Sequence, residues 1–154
     1  METEDITLFP RWRQAVQEFL AEFKYGDLVS HDWLEDHFGL PVVDGNKLTE
    51  AQFRERQFEW LGSIEAFKAE LLREHQVMLQ SVRGKGYRWT LPHEQTAIAV
   101  RDFEDDIRRA FKTTGQRLRN VRVNELTDDQ RRENVDAAAK ISALRGTVRK
   151  QLPR

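Results

Sequence analysis

The run Val77-Met-Leu-Gln-Ser-Val-Arg-Gly-Lys-Gly-Tyr-Arg-Trp-Thr-Leu91 changes period in a chain otherwise patterned for helix. Residues 77–82 and 87–91 are rich in β-branched and aromatic side chains, which suit extended backbone. Between them, Arg83-Gly84-Lys85-Gly86 sets two glycines around a cation. Positive φ is then open on either side of Lys85, which allows a tight hairpin whose tip carries that ammonium into solvent.

Working upstream, Phe9, Trp12, Val16, Phe19, Leu20 and Phe23 recur at helical spacing, so an amphipathic helix is expected over about 10–24. Tyr25-Gly26-Asp27 ends it. Ser30 then stands as the N-cap of a short helix that closes at Gly39 and Pro41, with Val29 placed to staple onto Leu34. Residues 41–47 carry turn chemistry and no period, and read as a loop. Thr49-Glu-Ala-Gln52 has the form of a capping box, and Phe53, Trp60, Ile64, Phe67 and Leu71 keep one face from there to about residue 75. Gly62-Ser63 interrupts that face. Either one helix runs through it or Ser63 caps a second helix, and the spacing leans slightly toward the break.

Downstream of Pro92, the residues Val100, Phe103, Ile107, Ala110, Phe111, Leu118 and Val121 mark a long helix over about 94–120. Thr127-Asp-Asp-Gln130 is a second capping box, opening a helix whose buried stripe is expected at Ala137, Ile141, Leu144 and Val148. Two domains follow, residues 1–92 and a helical hairpin over 93–154. Such a hairpin cannot enclose its own apolar stripes, so it packs on the first domain or on a second copy, and a homodimer through 94–150 is expected.

The order helix, short extended piece, helix, helix and β-hairpin is that of a winged helix-turn-helix. Val82-Arg83-Gly84-Lys85-Gly86-Tyr87-Arg88 is similar to the wing phrase of the DNA-binding output domains of two-component response regulators. Gly26-Asp-Leu-Val-Ser30 with Trp33-Leu34 resembles that family's approach to its second helix. The likeness covers about 26–91. It implies a helix ending near His75 that enters the major groove, carrying Lys68 and Arg73. It also implies Arg83, Lys85 and Arg88 on phosphate or in the minor groove, with Tyr87 and Trp89 turned into the core.

Charge adds a second basic element. Eleven Lys/Arg face sixteen Asp/Glu in residues 1–93, a net −5, against fourteen and ten in 94–154, a net +4. No acid occurs from Ile107 to Asn124, where Arg108, Arg109, Lys112, Arg117, Arg119 and Arg122 cluster. Cations near a helix C-terminus can simply favour the macrodipole. Alternatively, Arg101, Arg108, Lys112 and Arg119, spaced by seven, four and seven on one stripe, join Arg109 as a phosphate-facing surface. The function expected is non-enzymatic binding of double-stranded DNA, as a transcriptional regulator, through the wing and the basic C-terminal helix. The alternative is a protein-interaction module, such as a small inhibitor or adaptor encoded by a phage or mobile element. Its winged helix would bind a host protein, and the acidic residues Glu65, Glu70 and Glu74 of the groove-facing helix favour that reading.

Other chemistry is sparse. With no cysteine among 154 residues, disulfides, thiolate zinc sites and cysteine nucleophiles are excluded. His31 and Glu35 lie one turn apart with His37 nearby, yet without a third ligand at matching spacing they read as solvated helix residues. No nucleophile triad, phosphate loop or dinucleotide fingerprint occurs, so neither catalysis nor a cofactor or metal is expected. The acidic start Met1-Glu-Thr-Glu-Asp and the lack of a long apolar run point to a cytoplasmic, membrane-free setting. Trp12, Trp33, Trp60 and Trp89, one in each element of the first domain, suit a shared core.

Overall fold

The computed structural model describes residues 10–41 and 47–152. Five α-helices and a small three-stranded antiparallel sheet make up the regular structure of these residues, which is mainly helical. The chain divides into two compact units, 1–95 and 96–154.

Unit one begins with α1 (Arg11–Glu22), which buries Ala15, Val16 and Phe19 on one face. It stops where Phe23 turns extended while its N–H still reaches the Phe19 carbonyl at 2.9 Å. After β1 (Leu28–Ser30) comes α2 (His31–His37), capped as expected: the Ser30 hydroxyl accepts from the Trp33 N–H at 3.1 Å. Val29 and Leu34, the two staple positions, are both fully buried. The loop expected over 41–47 lies largely outside the described residues.

The capping box of α3 (Glu50–His75) forms in full, with the Gln52 N–H donating to the Thr49 hydroxyl at 3.3 Å and the Thr49 N–H donating to the Gln52 side chain at 3.0 Å. The break favoured at Gly62-Ser63 does not occur: α3 is continuous over 26 residues. A lone glycine costs a helix about 1 kcal/mol. That is less than Ile64, Phe67 and Leu71 gain by staying in phase and burying together. Gly62 is exposed, with nothing within 4 Å of where a Cβ would stand. Gly62→Ala is therefore expected to raise the unfolding free energy by about 0.5–1 kcal/mol in urea denaturation. A decrease would show that the backbone bends there.

The remaining strands are β2 (Leu79–Val82) and β3 (Gly86–Trp89), and the sheet order is β1-β3-β2. The hairpin pairs Leu79 with Trp89 and Val82 with Gly86, while β1 sets Val29 against Tyr87 and Ser30 against Gly86. β1 is thus more than a lead-in to α2, because it pairs along the other edge of the central strand. α1 packs on α2 and α3. Between helices and sheet lies an aromatic core in which Phe19 meets Phe67 edge-on at 5.7 Å and Trp89 at 5.1 Å. Trp89 is buried there, and Trp12, Trp33, Trp60 and Tyr87 pack against that core, so the tryptophans and Tyr87 lie where they were expected.

Unit two consists of most of α4 (Pro92–Arg119), a 3-10 turn at Val123–Glu125, and α5 (Asp128–Gln151), opened by the second capping box. Near the turn, Asn134 Nδ2 donates to the Leu118 carbonyl at 3.4 Å and Arg131 Nε to the Val123 carbonyl at 2.9 Å. The expected stripes need correction. On α4, Val100 and Phe103 are exposed, and on α5 Leu144 is 53% exposed and no residue is buried. The half-buried residues of α5 are Asn134, Ala137, Ala138, Ile141 and Val148, so the expected stripe holds at Ala137, Ile141 and Val148 and fails at Leu144.

Candidate nucleic-acid interface

The hairpin tip is closed by the Lys85 N–H donating to the Val82 carbonyl at 3.0 Å. Gly84 sits at φ +73° and Gly86 at φ +147°. Arg83 and Lys85 flank Gly84, both exposed. Neither has an ion-pair partner among the described residues. Two cations without an ion-pair partner therefore stand at the tip of a two-stranded hairpin, where a phosphate can meet both.

Several other cations of unit one are paired with carboxylates within it. Arg88 Nη2 bonds the Glu94 carboxylate, and that bond holds the Glu94 pKa below the ordinary glutamate range. Arg88, expected from the resemblance on phosphate or in the minor groove, is thus half-buried and paired within unit one. Lys68 Nζ is 2.8 Å from Glu65 and lies over the Tyr87 ring at 5.6 Å. Arg73 is bracketed by Glu74 at 3.1 Å and Glu70 at 3.4 Å. Arg56, with a largely buried guanidinium, joins α3 to α2 by pairing with Glu35 at 3.0 Å and donating to the Pro41 carbonyl. With six glutamates against four Lys/Arg, α3 carries a net −2. Its exposed surface also includes Phe58, at 75%, with Leu61 and Leu72.

In unit two the expected contact residues split the same way. Arg108 is paired with Asp105 at 3.2 Å and Glu104 at 3.8 Å, and Arg109 with Asp106 at 3.5 Å. Arg101, Lys112 and Arg119 have no such partner among the described residues, and Arg119 lies against Gly115. Lys112 and Arg119 border a groove of about 1020 Å³ between α4 and α5. Arg145 and Arg149 border it from α5. These two were missed by sequence reasoning, although a signal was there: no acid follows Asp136.

His31 and His37 are packed into unit one. The His37 ring stacks on Trp33 at 3.6 Å and reaches Glu18 at 3.4 Å, while His31 packs edge-on against Trp60 and Tyr87. Among the described residues no three His, Cys, Asp or Glu side chains are placed to hold a metal ion, and no helix is long and apolar enough to cross a membrane. Compared with protein-family models, curated proteins and solved structures, the chain finds no significant match.

Proposed function

We propose that unit one is a winged helix-turn-helix that binds double-stranded DNA without catalysis, as a regulator of transcription, with the β2–β3 hairpin as its wing. The observation that carries this reading is the pair Arg83 and Lys85, exposed and unpaired at the hairpin tip. The succession of α1, β1, α2, α3 and the hairpin supports it, since β1 closes the sheet beside the wing as this architecture requires. Lys68, Arg73 and Arg88 are held by carboxylates, so phosphate binding falls mainly to the tip.

A fluorescence-anisotropy titration of duplex DNA across a salt series tests the proposal. The doubly substituted R83A/K85A protein is expected to bind less tightly, with the slope of log K against log salt reduced by about 1.8, or ~0.9 per lost phosphate contact. Binding that ignores the substitution would remove the wing from any nucleic-acid role.

One observation favours the second reading, a module that binds protein through α3. Its outer surface combines exposed Phe58, Leu61 and Leu72 with net negative charge, which repels a polyanion and suits a protein partner. Absence of duplex binding at low salt selects this alternative.

A further inference from the structure

The groove between α4 and α5 sets Lys112 and Arg119, cations that the DNA reading would also use, beside an apolar lining for which that reading has no role. Its floor is apolar, formed by Ile107, Phe111 and Leu118 from α4, Ile141 and Val148 from α5, and Leu152 just past the end of α5. Its borders are basic. Lys112, Arg119, Arg145 and Arg149 line it without an ion-pair partner among the described residues, and Glu104 is the acid lining it. From Glu104 to Leu118 the groove follows α4 for about 21 Å at 1.5 Å per residue, the length of four helical turns.

Charge decides between possible occupants. A second copy seated groove on groove would set two basic borders against each other. Duplex DNA would satisfy the cations but has no apolar ridge to cover Phe111 and Ile141, which would remain wet. An amphipathic helix with leucine-like side chains on one stripe and carboxylates on either flank satisfies both, filling the floor while each flank meets a basic border. We infer that unit two is a docking groove for an acidic amphipathic helix of a partner protein, about four turns long. This is independent of whether the wing binds DNA.

The test uses the full chain and a labelled 16-residue peptide with Leu at positions i, i+4, i+7 and i+11 and Glu on both flanks. A scrambled peptide and a peptide with every Glu replaced by Lys serve as probes beside it. The Glu peptide is expected to bind with micromolar affinity and to gain helicity, the scrambled one not to bind. The charge-reversed K112E/R145E protein changes only exposed side chains, so its fold is checked by circular dichroism. It should bind the Glu peptide at least about tenfold more weakly and the Lys peptide more tightly than the unmodified chain. Three results would overturn the inference: equal binding of the scrambled peptide, no binding of the Glu peptide, or its displacement by duplex DNA at the same side chains. Light scattering provides a fourth such result, since a dimer that separates on Ile141→Asp would make a second copy the occupant.

Discussion

Replacing Phe67 by alanine is expected to lower the unfolding free energy by about 3–5 kcal/mol, enough to leave unit one partly unfolded at ambient temperature. The ring is fully buried, meeting Phe38 edge-on at 5.4 Å and Phe19 at 5.7 Å. Truncation therefore removes an aromatic side chain and opens a cavity at the point where α1, α2 and α3 converge. Large rigid neighbours cannot collapse into it at little cost. Phe58, on the same helix but 75% exposed, supplies the internal comparison. Phe58→Ala should change stability by no more than about 0.5 kcal/mol. Thermal and urea denaturation of the two variants side by side reads the difference, and similar losses would mean that the core lies elsewhere.

That contrast also shows what was legible in the sequence. Local signals were sufficient wherever a backbone bond is made between near neighbours. The Thr49–Gln52 and Thr127–Gln130 boxes, the Ser30 cap and the glycine-flanked tip all form where spacing placed them. The continuity of α3 was not legible, because the penalty at Gly62 is local whereas the compensating burial of Ile64, Phe67 and Leu71 against α1 is tertiary. Nor could spacing choose the inward stripe of α5. Of the expected residues 137, 141, 144 and 148 only Leu144 is exposed, while Asn134 and Ala138 are half-buried beside the others, and a helical period alone does not separate these neighbouring positions.

For the candidate site, half of the answer was hidden in plain spacing. Glu65 and Lys68, Glu70 and Arg73, Asp105 and Arg108, and Asp106 and Arg109 are each three apart, the distance at which helix side chains pair, so these cations were partly neutralised before any fold was known. Arg88 and Glu94 were different, since their pairing joins a strand to the first turn of α4 and depends on Pro92 turning the chain between them. Counting cations overstates a basic surface. Of the cations without an ion-pair partner among the described residues, Arg83 and Lys85 share the hairpin tip and Lys112, Arg119, Arg145 and Arg149 share the groove of unit two.

The second large effect is expected at Gly86. A Cβ there would lie 2.0 Å from the Val29 carbonyl oxygen and 3.0 Å from Ser30 Cα, both backbone atoms of the paired strand β1. Side-chain repacking cannot relieve that clash. β1 has to move off β3, at a residue whose φ of +147° already disfavours any side chain. Gly86→Ala should therefore cost about 3 kcal/mol or more and loosen the β1–β3 pairing, visible as lost amide protection in residues 28–30 and 86–88. Gly84, one cation away, has φ +73° and nothing within 4 Å of its Cβ position. Gly84→Ala should cost only about 1 kcal/mol, from the left-handed backbone alone. Since Arg83 and Lys85 are held out by this hairpin, Gly86→Ala is also expected to weaken duplex binding although no charge is lost. If Gly84→Ala proved the more damaging of the two, the close approach of β1 to β3 at Gly86 would not be what fixes the tip.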